Sequence, residues 1–497
     1  MPTYLDVHGI GTVLFYMSIR FASICKIITL PESSHEGRTI RAIEIAKGST
    51  SNKHGVLFIA GVHARELINP DLVLSFAWKL CQAYVTNTGL VFGGRTYSSS
   101  SVKLIVDNLD IFIVPLVNPD GRVYVQAPGG DRWWRKNRNS NPGAPCVGVD
   151  LNRNFDFLWN SGIGTSTYSC SEVFRGIAAF SEPETRNVRH LLDTFPNIRS
   201  MIDVHSYSEL ILYPWGDDDN QSTNLSMNFR NPAYDGLRGI PGDGIYREYI
   251  PQNDWDWYIR TGNRIRDAIA AVRGRFYTVQ QSVRLYPTSG TSKDYAYGRH
   301  FVDTGKRRVL AFTLETWNGA SENPFQPDYA EALNVISEVS SGLVEFCLAS
   351  ICVVEETVRG TRTFNELVDM RAFRDEELLN SKAGTGYVKI LEENIDEILG
   401  LIKDDKKLHS QTIRIIVDVN KVITSSSAAE AKRKQKTSPS SMVLDSNLIK
   451  SIEDLLEAFK KNASPKLRNS IEKASTHLKY YRNKTLKEGL KTASSYY

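Results

Sequence analysis

Cysteine is scarce in this chain, with six residues among 497. That is too few for a scaffold built from disulfides, and no two cysteines form a CxxC pair, so a structural zinc held by thiolates is excluded. Any metal site must therefore use histidine and carboxylate ligands. The chain also lacks a large excess of positive or negative residues, and its net charge is only +4. Global charge gives no reason to expect a nucleic-acid partner or an anionic membrane surface.

Long uninterrupted apolar runs are missing as well. Residues 9–30 are largely apolar, but Arg20 and Lys26 interrupt them and no small-residue cleavage site follows. This pattern argues against both a signal peptide and a membrane span, so no span is predicted. We interpret residues 1–19 as a lead segment and residues 9–30 as the first helix and strand of the fold.

Residues 20–355 alternate short apolar runs with amphipathic segments of helical length. This alternation predicts an α/β domain with a mixed sheet. Ligands of such sheets gather at the carboxyl ends of strands, and several predicted strands end on a polar residue. The predicted strands cover residues 24–30, 39–45, 55–60, 110–117, 198–204 and 308–314.

The composition changes after residue 355, where tryptophan disappears and helical Leu/Ile/Lys/Glu patterns take over. Residues 356–497 are predicted to be a mainly helical extension, with helices over 387–401 and 448–459 and a low-complexity linker at 425–441. Two interpretations stay open. The extension is either a module that binds an unknown protein partner or a foreign segment joined to the domain by a mistaken gene model.

His63 and Glu66 lie three residues apart, just after the predicted strand 55–60. A catalytic zinc takes three protein ligands and keeps one open position, and two histidines with one glutamate form a recurrent set. His205 follows the predicted strand 198–204 and supplies the distant third ligand. Asp150 is a candidate acceptor that would orient the ring of His63. Each feature alone is also compatible with a hydrogen-bonded structural residue or a polar turn.

Seven separated sequence blocks resemble, in order, those of the carboxypeptidase A/B family of zinc peptidases. The resemblance covers about residues 20–355 and implies that family's fold, a mixed twisted sheet flanked by helices. The blocks are His63-Ala64-Arg65-Glu66, Asn118-Pro119-Asp120-Gly121, Trp134-Arg135-Lys136-Asn137-Arg138, Gly148-Val149-Asp150-Leu151-Asn152-Arg153-Asn154, His205-Ser206-Tyr207, residues 286–290 and Phe312-Thr313-Leu314-Glu315.

The resemblance implies a metallo-exopeptidase that hydrolyses the C-terminal bond of peptides and proteins. One Zn2+ ion on His63, Glu66 and His205 would polarise the scissile carbonyl and activate water. Glu315 matches the general base that takes a proton from that water. Arg135 resembles the residue that stabilises the oxyanion of the tetrahedral intermediate.

Recognition of the free C-terminus is implied for a further group of residues. Asn152 and Arg153 match the pair that grips the terminal carboxylate, for which a bidentate guanidinium is well suited. The other implied substrate-binding positions are Arg65, Ser206, Tyr207 and Tyr286, the last of which matches a mobile tyrosine.

Cys146 and Cys170 align with the disulfide of the family. A disulfide implies an oxidising compartment, so a secreted, extracellular protein is expected.

Lys293 occupies the position that corresponds to the base of the family's specificity pocket. An ammonium there would favour a C-terminal Glu or Asp through charge complementarity. Asp294 is adjacent, and an interaction between the two would weaken the preference.

Two other functions remain open from the sequence. One is a binding protein on this fold without catalysis, which the complete set of three ligands and a base argues against. The other is a hydrolase acting on a non-protein amide, such as a peptidoglycan stem or a γ-glutamyl chain.

Overall fold

The computed structural model describes two compact units, Met1–Ser350 and Ile351–Tyr497. Each unit is considered by itself. The predicted boundary at 355/356 lies a few residues after this division. The residues described are 3–48, 50, 53–320, 323–351, 378, 381–433 and 444–495.

The first unit is built on an eight-stranded mixed sheet with the order β1-β2-β6-β3-β7-β12-β8-β11. Two short two-stranded sheets, β4-β5 and β9-β10, lie outside it. The strands are β1 Cys25–Ser33, β2 Thr39–Ile45, β3 His54–Ala60, β4 Leu90–Phe92, β5 Arg95–Tyr97, β6 Leu109–Val114, β7 Ile198–Ser206, β8 Leu210–Tyr213, β9 Asn220–Gln221, β10 Glu248–Tyr249, β11 Thr278–Gln281 and β12 Leu310–Thr316.

Strands β6, β3, β7 and β12 run parallel at the centre of the sheet. The residues of β3 from Val56 to Ala60 are fully buried. Both faces of a central parallel strand are covered, which explains why the sequence here is a continuous apolar run rather than an alternation. The carboxyl ends of these strands therefore meet at one edge of the sheet.

Helices cover the sheet. They are α1 Val7–Arg20, α2 Ile68–Thr86, α3 Ser99–Asn108, α4 Pro119–Gln126, α5 Pro183–Thr194, α6 Gln252–Arg273, α7 Ser292–Val302 and α8 Tyr329–Ala349. Helix α8 is long and apolar enough to cross a membrane, but 78% of its apolar segment is buried inside the structure. It packs against α2 and α6, as expected of a core helix.

The predicted fold class is confirmed, and all six predicted strands are present. Residues 9–30 form the predicted helix and strand, α1 and β1. Strand β7 extends two residues beyond the predicted 198–204, so His205 lies within the strand. Helix α1 packs against β1, α2 and α4, which places most of the lead segment predicted at 1–19 inside the first unit.

The described part of the second unit is helical. Its small core contains Ala383, Ile449, Tyr481 and Leu490. The helices are Lys382–Glu393, Ile395–Asp404, Lys406–Arg433, Ser446–Asn462, Pro465–His477 and Leu486–Ser494.

Two boundaries in this unit differ from the prediction. The helix predicted over 387–401 is divided at Asn394, whose side-chain amide donates to the carbonyl of Ile390 and ends the first helix. The linker predicted at 425–441 begins later, because the helix continues to Arg433. Alanine, glutamate and lysine in this stretch are strong helix formers, and residues 434–443 lie outside the described part.

Cys146 and Cys170 form the disulfide that the family resemblance implies, with 4.9 Å between their Cα atoms. They are separated by 24 positions in the sequence, and closing such a loop restricts the unfolded chain.

Replacing both cysteines, in Cys146→Ser/Cys170→Ser, should lower the free energy of unfolding of the first unit by about 3 kcal/mol. Denaturant unfolding measures the change. The reduced wild-type protein is the matched control and should coincide with the variant. A variant as stable as the oxidised wild-type protein would contradict this prediction.

Candidate functional site

Three neighbouring parallel strands deliver the principal polar side chains to one edge of the sheet. Strand β3 ends at Ala60, shortly before His63. Strand β7 carries His205 near its end, and in the register of β7 and β12 His205 stands beside Glu315. Residues far apart in sequence are thus brought together by strand pairing alone.

The turn after β3 depends on glycine. Gly61 has φ +63°, and a Cβ atom built there would lie 2.8 Å from Leu116. Both the positive φ and the lack of space favour glycine over any L-residue. This turn directs the chain towards His63 and Glu66.

His63, Glu66 and His205 are buried and face one another. Their potential ligand atoms all lie within 4.8 Å of each other. His63 Nδ1 is 2.7 Å from Glu66 Oε1, and His205 Nδ1 is 3.2 Å from Glu66 Oε2. The structure thus brings together the three residues predicted as metal ligands.

The donor set fits a divalent cation. The two Nδ1 atoms are 3.0 Å apart, so they cannot both carry a hydrogen. The Nε2 atom of each ring lies beside a different carboxylate, 3.2 Å from Asp150 for His63 and 3.0 Å from Asp203 for His205. Asp150 accepts the Nε2 proton of His63, which leaves the Nδ1 lone pair of that ring directed at the centre. Asp203 lies close to Nε2 of His205, but the two atoms are not placed for a hydrogen bond. Two imidazole nitrogens and one carboxylate form a zinc-type ligand set.

The charges of this cluster depend on one another. Burial would raise the pKa of Glu66, but His63 and His205 together lower it. Burial would lower the pKa of His205, but Asp203 and Glu66 raise it well above the ordinary value. Charge pairing therefore outweighs desolvation at both groups.

Asp150 is fully buried and joins two parts of the site. One oxygen faces His63, and the other accepts hydrogen bonds of 3.1 and 3.0 Å from Nε and a terminal nitrogen of Arg135. Burial would raise the pKa of Asp150, but Arg135 and His63 hold it well below its usual range. Asp150 thus orients a candidate ligand and the candidate oxyanion-binding guanidinium together.

Asp203 is a site residue that the sequence reasoning missed. Besides facing His205, it accepts a short hydrogen bond from the hydroxyl of Ser292 at the start of α7. The sequence could have predicted this neighbour of His205. Asp203 and His205 are two positions apart in β7, and side chains with that spacing share one face of a strand.

Glu315 lines the cleft that also contains His63, Glu66 and Arg135. Burial raises its pKa to about 8, Glu66 adds to this effect, and His205 and Arg135 oppose it. Within the described part of the chain, no hydrogen bond to its carboxylate is found. A bound cation nearby would favour the ionised form.

The same cleft is lined by the residues predicted to bind the terminal carboxylate. The Asn152 side-chain oxygen accepts from the amide of Ser292 at 2.9 Å. Arg153 donates to the carbonyls of Gly164 and Asn152, and its guanidinium carbon lies 6.0 Å from the ring centre of Tyr286. Tyr286 is 47% exposed, in keeping with a position at the mouth.

The cleft is also lined by Phe325, an aromatic residue that was not predicted from the sequence. The Arg65 guanidinium stacks 4.1 Å from its ring centre, and Tyr207 packs on it edge to face. Ser206 donates its amide to Glu66 at 3.1 Å, so its backbone supports the ligand. No periodic pattern marks Phe325.

Lys293 lines the cleft and is 1% exposed. Its ammonium forms a short ion pair with Asp294. Burial lowers the pKa of Lys293, while Asp294 and the nearby Asp217 oppose this shift. The ammonium therefore faces the pocket with an acidic partner already in place.

Comparison with known proteins agrees with this geometry. Residues 10–338 match the family model Peptidase_M14, described as zinc carboxypeptidase. Carboxypeptidase B of Helicoverpa zea is 36% identical over 44% of this chain and 48% of its own length. A zinc carboxypeptidase of Simulium vittatum is 33% identical over 58% of this chain and 78% of its own length.

Among solved structures, carboxypeptidase A from Helicoverpa armigera matches with a TM-score of 0.54 and 25% identity. The match covers 70% of this chain and 73% of that one. The chain spans about half the length of the Helicoverpa zea relative.

The double contact of Asp150 generates a prediction. Asp150→Asn should weaken divalent-cation binding by about 10- to 100-fold, because an amide cannot fix the proton of His63 Nε2 as a carboxylate does. Equilibrium dialysis against buffered Zn2+ measures the affinity. Asp156→Asn, at an exposed position on the same segment, is the control. Equal affinities in the two variants would contradict the role of Asp150.

Proposed function

The chain belongs to the zinc carboxypeptidase family, and we propose that it is a metallo-exopeptidase that releases single C-terminal residues from peptides and proteins. The observation that carries this proposal is the convergence of His63, Glu66 and His205 in one cleft with Glu315 and Arg135. An exopeptidase also needs a group that recognises a free terminus, and Asn152 and Arg153 line the same cleft.

One Zn2+ ion would be held by His63 and His205 through Nδ1 and by the carboxylate of Glu66. When bound, zinc polarises a carbonyl oxygen and lowers the pKa of a water molecule. The carboxylate of Asp150 would fix the tautomer of His63 and make its imidazole a stronger ligand. Asp203 places a negative charge beside the outer nitrogen of His205.

Glu315 is proposed as the general base. It lies on β12, next to His205 on β7, so its carboxylate reaches the same space as the metal ligands. In its ionised form it would take a proton from water and then pass it to the leaving amine. A carboxylate that accepts no other hydrogen bond in the described structure is free to do this.

Arg135 is proposed to meet the negative charge that develops on the scissile carbonyl oxygen. Its two bonds to Asp150 hold the guanidinium in place before the reaction, and a preorganised cation stabilises a transition-state charge without a reorganisation cost. Burial alone would lower the pKa of Arg135, but Asp150, Tyr286 and Glu66 raise it, so it remains charged.

The terminal carboxylate of the substrate is proposed to bind Asn152 and Arg153, with Tyr286 closing over it. Arg65, Ser206 and Tyr207 would contact the preceding part of the peptide. The Cys146–Cys170 disulfide supports an oxidising location, and we propose that the protein is secreted.

Glu315→Gln should reduce kcat by about 10²- to 10⁴-fold, the range for loss of a general base. Hydrolysis of a synthetic peptide with a free C-terminus measures the rate, and dialysis should give an unchanged zinc content. Glu331→Gln, on helix α8, is the control and should retain full activity. A Glu315→Gln enzyme that keeps wild-type kcat would overturn the assignment of the base.

A preference for acidic C-terminal residues is proposed from Lys293. Lys293 is buried and lines the cleft, and a substrate carboxylate would compete with Asp294 for its ammonium. The existing ion pair with Asp294 makes the preference modest, because binding a substrate carboxylate to Lys293 weakens that ion pair.

Two variants separate the contribution of the Lys293 ammonium from that of its ion pair with Asp294. Lys293→Met should lower kcat/KM for a substrate ending in Glu by about 10- to 100-fold, the range for one hydrogen bond to a charged group, and leave a Leu substrate much less affected. Asp294→Asn should raise the Glu-to-Leu ratio, because the ammonium loses its internal partner. Wild-type discrimination in favour of Arg or Phe would refute the acidic preference.

A further inference from the structure

A second cluster of ligand-type side chains lies outside the cleft, formed by His35, Glu182 and Glu184. Their potential ligand atoms also lie within 4.8 Å of one another. His35 belongs to the turn after β1, and Glu182 and Glu184 stand at the start of α5. Both glutamates are 0% exposed, while the His35 side chain is 28% exposed.

The two carboxylates are held in fixed positions. Asn137 donates its side-chain amide to both of them, at 2.7 Å to Glu182 and 3.2 Å to Glu184. Ser181 and Asn139 also donate to Glu182. These fixed contacts place both carboxylates beside the imidazole of His35, whose Nε2 is 2.8 Å from Glu182.

One oxygen of this arrangement lacks a partner. Glu184 Oε1 is buried and accepts no hydrogen bond. Leaving a buried carboxylate oxygen unsatisfied is costly. The guanidinium of Arg186, two residues further along α5, donates instead to Glu32 and to the carbonyls of Phe180 and Ser181, so it does not relieve Glu184.

The charges of Glu182 and Glu184 also favour a bound cation. Burial raises the pKa of the Glu184 carboxyl to about 7, and the neighbouring Glu182 adds to this effect, so a bound cation would favour the ionised form of Glu184. A divalent cation would neutralise both carboxylates and leave His35 neutral. Imidazole and carboxylate ligands suit Zn2+, with open positions left for water.

We propose that His35, Glu182 and Glu184 form a second divalent-cation site, of the zinc type and separate from the cleft. The partly exposed ring of His35 provides the entry side and moves slightly outward to admit the ion. The ion would connect the turn after β1 to the start of α5. It is a structural site, because in the described part of the chain no hydrogen bond joins Glu182 or Glu184 to a residue proposed to bind substrate.

The number of bound ions tests the proposal. The full chain, stripped with a chelator, is dialysed against buffered Zn2+, and metal per chain is measured by mass spectrometry. We expect two ions in the wild-type protein and one in His35→Ala and in Glu184→Gln, with peptidase activity retained in both. Glu184→Gln preserves the shape of the buried side chain and His35 is partly exposed, so both variants should fold, which circular dichroism checks.

His190→Ala, on the same helix but outside the cluster, is the matched control and should keep two ions. The double variant His63→Ala/His205→Ala should keep one ion at the second site. A wild-type protein that binds one ion and is active would overturn this proposal alone. One that binds a single ion retained in the His63/His205 variant would instead overturn the proposed catalytic site.

Discussion

The parallel pairing of β3, β7 and β12 is the constraint on which the rest of the site depends. This pairing puts the ends of three strands at one edge of the sheet, and it sets His205 directly beside Glu315. A slip of one residue in β7 or β12 would turn His205 or Glu315 to the opposite face of the sheet. The polar residues near the strand ends therefore meet only in the observed register.

Buried carboxylates then convert proximity into a defined chemical arrangement. Asp150 holds His63 and Arg135 with its two oxygens, and Asp203 stands behind His205. Such acceptors orient the ligand rings and keep the guanidinium charged in a buried place. A change at Asp150 is thus expected to act on metal binding and on charge stabilisation together, although Asp150 would touch neither the ion nor the substrate.

Much of this was predictable from the sequence, and the exceptions have physical causes. Continuous apolar runs predicted the central strands. The polar residues that follow these runs predicted the ligand cluster of His63, Glu66 and His205. The ion pair of Lys293 with Asp294 could be named as an alternative but not decided, because adjacent side chains can point in different directions. Phe325 meets Arg65 only through tertiary packing, which leaves no local pattern. Likewise, His35 meets Glu182 only through packing of the β1 turn on α5. The partner expected for the helical extension stays a prediction.

Release of single residues from matched peptides tests the central claim most directly. The full chain is incubated with one peptide bearing a free C-terminus and with the same peptide amidated, before and after removal of metal by a chelator. The account predicts release from the free peptide only, loss of release after chelation and recovery on addition of Zn2+. A folded, zinc-loaded protein that releases nothing, or that cleaves both peptides equally, would contradict it.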